Sequence, residues 1–131
     1  MSELTEAMRC SPNFYAEDGA SLQQIEEAEE ALKSKFALDF KECLHEFGAV
    51  SIGSHELTGF SADKNLDVVE VTKKNRERFN LETRFYVIEE AHIDGIVIWQ
   101  DADGAIYETF PNSNVKKIAD SLAEYLNISQ Q

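Results

Sequence analysis

Few side chains in this sequence have the spacing that catalysis or metal binding requires. Cys43 and His45 stand two positions apart, and on a helix that spacing points them to different faces, so they do not form a nucleophile and its base. The histidines at positions 45, 55 and 92 match neither the HExxH motif nor a paired-histidine site. The sequence also has no G-x-S-x-G elbow and no glycine-rich phosphate loop. We therefore expect a protein that is not an enzyme, with no catalytic residue, cofactor or metal.

One segment, Asp101–Gly104, has the opening carboxylates of a calcium loop. An EF-hand loop also needs oxygen ligands at later positions and a glutamate at position twelve. The sequence has Ala105, Tyr107 and Asn112 at those places. A four-residue turn ending in glycine, between two alternating apolar runs, is instead typical of a β-hairpin.

Negative charge is the unusual feature of the composition. The 131 residues include 25 acidic and 12 basic side chains, a formal net charge of −13. Such a field repels nucleic acid and anionic lipid and attracts basic partners, although solubility alone would also explain it. The only basic cluster, in residues 73–78, is short, and pairing with local acids explains it better than nucleic-acid binding.

The number of cysteines and the N-terminal sequence indicate the cellular compartment. Cys10 and Cys43 are too few for a disulfide framework. The N-terminus lacks the basic and apolar regions of a signal peptide, and no run of about 18 apolar residues is present. We therefore expect a cytoplasmic protein with no membrane partner.

Two consecutive amphipathic helices are the clearest elements of the sequence. Ser21 and Gln24 form a capping box that begins a helix running to about Lys35. Glu29 interrupts the apolar stripe of this helix, and we expect it at the rim, where it snorkels or caps a nearby backbone group.

The second helix is predicted to begin at Asp39, with Glu42 completing its cap. Cys43 lies on its apolar face, where a small hydrophobic residue is expected. Gly48 follows the last periodic residue and is typical of a left-handed helix end.

The remaining segments predict an α+β fold. At the N-terminus we expect a short helix over residues 2–9 capped by Ser2, then Phe14 and Tyr15 docked on the domain, and a loop over residues 17–20. Later elements are a strand pair in residues 50–60, a helix over 67–79, a strand over 84–89, a hairpin over 96–110, and a last helix from Ser113 or Asn114 to Leu126. Together they predict a single domain, with a core of about residues 14–126. We expect a mostly antiparallel twisted sheet of five or six strands, flanked by N-terminal, middle and C-terminal helices.

A set of core and turn residues, taken in chain order, carries a family resemblance. They are Ile25-x-x-x-Glu29-x-x-Leu32, Phe40-Lys41-x-x-Leu44, Phe47-Gly48, Gly53–Gly59, Asp67-Val68-Val69 with Thr72 and Asn75, Tyr86–Glu89, the Ile96–Phe110 hairpin, and Ile118–Leu126. This pattern resembles the SUKH superfamily, immunity proteins related to the yeast cell-wall synthesis regulator, and most closely its YobK-like branch. The family often opens its second helix with Leu-Pro. Here Leu38-Asp39 stands instead, with Asp39 expected to act as the cap.

The resemblance implies function by binding. Such proteins are encoded beside a polymorphic toxin, often a nuclease, and protect the producing cell by binding that toxin. The expected partner is therefore a cognate toxin domain with a basic surface, which the charge of −13 would complement. A general adaptor or regulatory module of the same fold is the alternative, and an enzyme acting on a small molecule in a sheet-lined cleft is a third hypothesis.

The expected contact residues are acidic or aromatic and lie on the later strands and turns. They are Glu56, Tyr86, Glu89, Glu90, Asp94, Trp99, Asp101, Asp103 and Tyr107. Core packing is the competing explanation for the aromatic residues, above all for Trp99. The outer glutamates of the first amphipathic helix, Glu26, Glu27 and Glu30, form a second candidate patch.

Overall fold

An antiparallel meander organises the molecule: each strand of the sheet pairs with its neighbours in the sequence. The computed structural model describes residues 3–91 and 93–128, and within them it contains five helices and seven strands. The helices are α1 (Glu3–Arg9), α2 (Leu22–Leu32), α3 (Leu38–Glu46), α4 (Val68–Phe79) and α5 (Leu122–Leu126). The strands are β1 (Tyr15–Asp18), β2 (Phe47–Ile52), β3 (His55–Leu57), β4 (Tyr86–Glu90), β5 (Val97–Gln100), β6 (Ile106–Thr109) and β7 (Lys116–Ala119). The predicted α+β class is confirmed, with more strands than expected.

The capping box of α2 is confirmed. Ser21 Oγ accepts from the Gln24 amide at 3.1 Å, and Gln24 Oε1 accepts from the Ser21 amide at 2.9 Å. The helix ends at Leu32 because Lys33 adopts a left-handed conformation, with φ 54°. Glu29 does cap a backbone group, the Phe36 amide at 2.8 Å, but its side chain is buried and does not lie at the rim.

The predicted ends of the second helix are wrong. Residue 37, an alanine, is the N-cap of α3, and Asp39 lies within the first turn. Its carboxylate instead accepts from Gln100 Nε2 and from the amide of Leu122, both at 3.0 Å. Gly48 is not a helix end either, since β2 already begins at Phe47. A methyl group on Gly48 would lie 2.7 Å from a carbonyl oxygen of β1, so close backbone packing requires the glycine.

The sheet packs against two separate cores, one on each face. Alternation along β4 divides the two cores: Tyr86 and Ile88 join the larger core, while Val87 faces the smaller one with Phe85. α1, α2, α3 and α5 contribute to the larger core, and α4 contributes Val68 to the larger core and Val71 to the smaller one. The predicted helix over residues 67–79 is confirmed as α4.

Both ends of the sheet differ from expectation. The second half of β1, Glu17 and Asp18, was predicted to be a loop, but the strand pairs with β2. The predicted last helix is wrong: its first half is β7, which pairs with β6, and only Leu122–Leu126 is helical. Ser121 caps α5 by accepting from the Glu124 amide at 3.1 Å. Pairing with β6 satisfies backbone groups that a helix would have left at an open sheet edge.

Two residues named in the sequence analysis lie outside the described ranges, namely Ser2, the expected cap of the first helix, and His92. Within residues 3–91 and 93–128, no helix has both the length and the apolar character that crossing a membrane requires.

Candidate partner-binding site

The side chains with potential for nucleophilic chemistry lie apart. Cys43 is buried, and burial raises the pKa of its thiol, so the reactive thiolate does not form at neutral pH. His45 lies on the surface, with Nδ1 3.0 Å from the carbonyl oxygen of Ala20. Their positions agree with the sequence prediction that they do not act as a pair.

Two of the three aromatic residues of the expected contact set belong to the interior. Tyr86 and Trp99 are both 0% exposed. The Tyr86 hydroxyl accepts from the Ala37 amide at 2.8 Å and donates to Gln100 Oε1 at 2.7 Å. Trp99 Nε1 donates to Thr109 Oγ1 at 2.9 Å. The expectation that these side chains contact a partner is corrected here, since neither has any surface to offer.

Glu89 is also buried and serves as an internal connector. Its Oε1 accepts from the Tyr125 hydroxyl at 2.5 Å and lies 3.0 Å from His55 Nδ1. Its Oε2 accepts from the Glu56 amide at 2.7 Å. Burial, and then the hydrogen bond to Glu89, raise the pKa of Tyr125. This carboxylate therefore joins β3, β4 and α5 and does not face a partner.

Asp101 shapes the β5–β6 turn, as the hairpin interpretation predicts. Its Oδ1 accepts from the amides of Asp103 and Ala105, at 3.0 and 3.2 Å. Its Oδ2 accepts from the Tyr107 hydroxyl at 2.8 Å and lies 3.4 Å from Arg84 Nη1. Desolvation and the bond to Asp101 raise the pKa of Tyr107. Across the part of the chain that the structure describes, no cluster of side chains could hold a metal ion.

Three residues of the expected contact set are exposed, namely Glu56, Asp94 and Asp103. Glu90 is partly buried, and it accepts from Asn75 Nδ2 at 2.8 Å and from Lys74 Nζ at 3.1 Å. The expected set therefore divides between internal connectors and separate exposed carboxylates, and Glu56 alone lines a cavity described next.

An acidic cleft lies beside β1. Two depressions, of about 480 and 140 Å³, are both lined by Tyr15 and Glu17. Their walls combine β1, the β2–β3 strands and the loop that follows β3. We call this surface the acidic cleft, and its residues are Tyr15–Asp18, Ala49–Ser51, Glu56, Phe60–Ala62 and Leu66. Glu17, Asp18 and Glu56 supply its charge, and none of the described residues that line it is a lysine, arginine or histidine.

The wall formed by the loop after β3 is held at both ends. The Gly59 amide donates to the Leu66 carbonyl at 3.0 Å, and the Val68 amide donates to the Gly59 carbonyl at 2.8 Å. Ser61 Oγ donates to Glu17 Oε2 at 3.1 Å and so connects this wall to β1. The cleft is therefore formed by the fold itself, before any partner is bound.

Sequence reasoning found Glu56 but missed the rest of the charged lining. Glu17 and Asp18 were assigned to a loop, because strand β1 has only four residues and its partner, β2, lies about 30 residues further on. The usable signal was Tyr15, an aromatic residue separated by one alanine from the acids Glu17 and Asp18, and the structure leaves its side chain 69% exposed. A large exposed aromatic side chain is common at binding surfaces.

The fold and the site together define a small α+β protein with a preformed acidic cleft. A family model described as "SMI1-KNR4 cell-wall" (SUKH_5) matches residues 1–129. The chain therefore belongs to the SUKH family, whose fold is of the non-catalytic immunity type. The superfamily inferred from the sequence is confirmed, while its YobK-like branch stays a prediction. No curated protein matches the sequence.

Proposed function

We propose that this protein is an immunity protein, which binds a cognate toxin and neutralises it by covering its active site. The observation that carries the proposal is the acidic cleft in a member of this family. The described residues that line this cleft include three acids and no lysine, arginine or histidine. Complementary potentials accelerate association and exclude wrong partners, so a basic toxin surface fits this cleft.

A nuclease is the class of toxin that this charge favours. Nucleases bind phosphate backbones, and surfaces that do so are rich in lysine and arginine. A protein with a net charge of −13 competes for the same surface as the nucleic acid. Occlusion requires no chemistry from the immunity protein, in keeping with its family.

Co-expression tests the proposal. The C-terminal domain of a toxin encoded beside this gene is expressed with and without the protein, and survival of the cells is measured. We expect the wild-type protein to restore growth. If the toxin kills equally well in its presence, the immunity proposal fails for that pair. A gene without a toxin neighbour would favour the adaptor alternative.

A pair of matched variants tests whether the cleft is the contact surface. Glu17→Lys with Glu56→Lys reverses two charges in the cleft, and Glu26→Lys with Glu30→Lys reverses two on the exposed face of α2. Both change the net charge equally, so only location differs. We expect the cleft variant to lose protection and the α2 variant to keep it. Loss of protection in the α2 variant alone would place the contact on that helix.

A further inference from the structure

β1 is the first strand of the sheet, and one of its edges is open. The strand order runs from β1 to β7, so in the described part of the chain β1 has a single strand neighbour, β2. An open edge presents backbone N–H and C=O groups that can pair with another extended chain.

The β2–β3 hairpin determines which groups of β1 face outward. Its two-residue turn closes on Ile52 and His55, a pair whose backbones exchange hydrogen bonds. The preceding residue, Ser51, therefore directs its backbone groups toward β1, where its partner is Tyr15. Because these directions alternate along a strand, the N–H and C=O of Ala16 point to the open edge.

The side chains around this edge select the charge of an added strand. Glu17 and Asp18 follow Ala16 directly, and the exposed ring of Tyr15 can stack on a guanidinium group. An acidic strand would place like charges opposite each other, which is unfavourable. The same rule disfavours pairing of β1 with β1 of a second copy.

The strand at the other edge of the sheet, β7 of a second copy, is the competing occupant of the β1 edge. β7 carries Lys116 and Lys117, so β7 of a second copy could pair with β1. However, Lys117 already forms an ion pair with Asp120 at 2.6 Å, and Lys116 lies opposite Glu108. Two copies of a chain with a net charge of −13 also repel each other. A separate basic partner is therefore favoured.

We propose that the open edge of β1 receives an extended segment of the partner, rich in arginine or lysine, as an eighth strand of the sheet. Hydrogen bonds to Ala16 hold its backbone, and its cationic side chains enter the acidic cleft. This inference rests on the proposed function, since it specifies how the toxin is held.

Synthetic peptides test the inference on the whole protein. The probe is a capped hexapeptide that alternates arginine with threonine. We expect it to bind at low salt and to protect the Ala16 amide from hydrogen exchange. A peptide of the same sequence with N-methylated backbone amides keeps the charge but cannot pair as a strand, and its affinity should be lower by roughly tenfold or more. Equal affinity for the two peptides would overturn the proposal.

A matched pair of variants removes or keeps the backbone N–H of Ala16, the donor that points to the open edge. Ala16→Pro lacks the N–H group, and proline is tolerated on the solvent side of an edge strand. Leu22→Pro leaves the Ala16 donor in place and removes an N–H group at the first position of α2, where proline is tolerated, so it should bind the peptide like the wild type. Binding without protection of Ala16 would overturn the proposal. The proposal would also be overturned if, without peptide, the protein oligomerised as its concentration rose and its Ala16 amide were then protected from exchange. That result would identify a second copy of the chain as the occupant of the β1 edge.

The outcomes separate this inference from the proposed function. If the wild-type protein protects cells from the toxin but does not bind the arginine peptide, the strand inference fails and the immunity proposal stands. If the peptide binds as a strand and the toxin still kills, the immunity proposal fails for that toxin and the edge site stands.

Discussion

At the scale of single residues, several carboxylates bind backbone amides within the molecule. Each of four acidic side chains accepts from at least one backbone amide, and three of them are buried. They are Glu29, Asp39, Glu89 and Asp101. Part of the negative charge of the sequence is thus structural, and only the remaining part is available to a partner.

Asp39 gives the clearest test of this structural role. Its two oxygens accept from Gln100 Nε2 and from the first amide of α5. In Asp39→Asn, the side-chain NH₂ group faces one of these donors, so one hydrogen bond is lost and a polar group is left unsatisfied. We expect the free energy of unfolding to fall by about 1–3 kcal/mol.

Urea unfolding measures this change. Glu30→Gln, which removes an exposed carboxylate of α2, is the control and should stay within about 0.5 kcal/mol of the wild type. If the two variants unfold at the same urea concentration, Asp39 does not connect α3 to α5 as described.

At the scale of elements, the sequence predicted those with local signals. The capping box of α2 and the β5–β6 hairpin, closed by the Asp101 turn, each depend on residues within a few positions of one another. β1 and β7 were missed because neither segment carries a strand signal of its own. Each is a strand because it pairs with a neighbour in the sheet, β1 with β2 and β7 with β6. The spacing of Ile118 and Leu122 matched a helix, although the chain turns between them.

The candidate site was predictable only in part, for the same reason. An acidic surface follows from composition, and Glu56, one of the expected contact residues, lines the acidic cleft. Asp39 and Glu89 are bound to groups 33 to 83 residues away, so nothing local marks them as internal. Position in the fold, rather than residue type, decides which carboxylates face a partner.

Gly48 supports the β1–β2 pair beneath the cleft and provides a test at this scale. In Gly48→Ala the new methyl group would lie 2.7 Å from the Asp18 carbonyl oxygen and 2.8 Å from that of Phe60. Backbone must therefore move, which typically costs about 1–3 kcal/mol of stability. Because both contacts belong to the cleft walls, we also expect weaker binding of the arginine peptide.

Gly53→Ala is the matched control for this change. A methyl group there meets nothing within 4 Å, and the strain arises only from its φ of +57°, at about 1–2 kcal/mol. Urea unfolding and peptide titration are measured for both variants. Both should be destabilised, but only Gly48→Ala should lose peptide affinity. Equal peptide affinity in the two would mean that Gly48 does not shape the cleft.

At the scale of the whole molecule, the surface carries excess negative charge that the chain does not neutralise. The outer face of α2 is an example: Glu26, Glu27 and Glu30 are exposed, and the helix has no basic residue in its last turn. Such self-repulsion weakens the folded state and is relieved by salt or by a basic partner. Association with a basic partner should therefore slow steeply as salt rises.

Alkaline pH tests how the fold protects its tyrosines. Burial raises the pKa of Tyr86 and of Tyr125 in the folded protein. Above the ordinary tyrosine pKa of about 10, the unfolded chain loses these protons while the folded protein keeps them. The contribution of these tyrosines to the free energy of unfolding is thus fully present below about pH 10. It falls as pH rises, by up to about 1.4 kcal/mol per pH unit for each protected tyrosine.

Tyr125→Phe removes one of these contributions. Between about pH 10 and 11, its free energy of unfolding should fall less steeply than that of the wild type, because one proton fewer distinguishes the two states. Tyr15→Phe, which removes an exposed hydroxyl, should keep the wild-type slope. Urea unfolding at intervals from about pH 8 to pH 11 measures the slopes. Identical slopes for the wild type and Tyr125→Phe would show that the hydroxyl bound to Glu89 ionises as readily in the folded protein as in the unfolded chain.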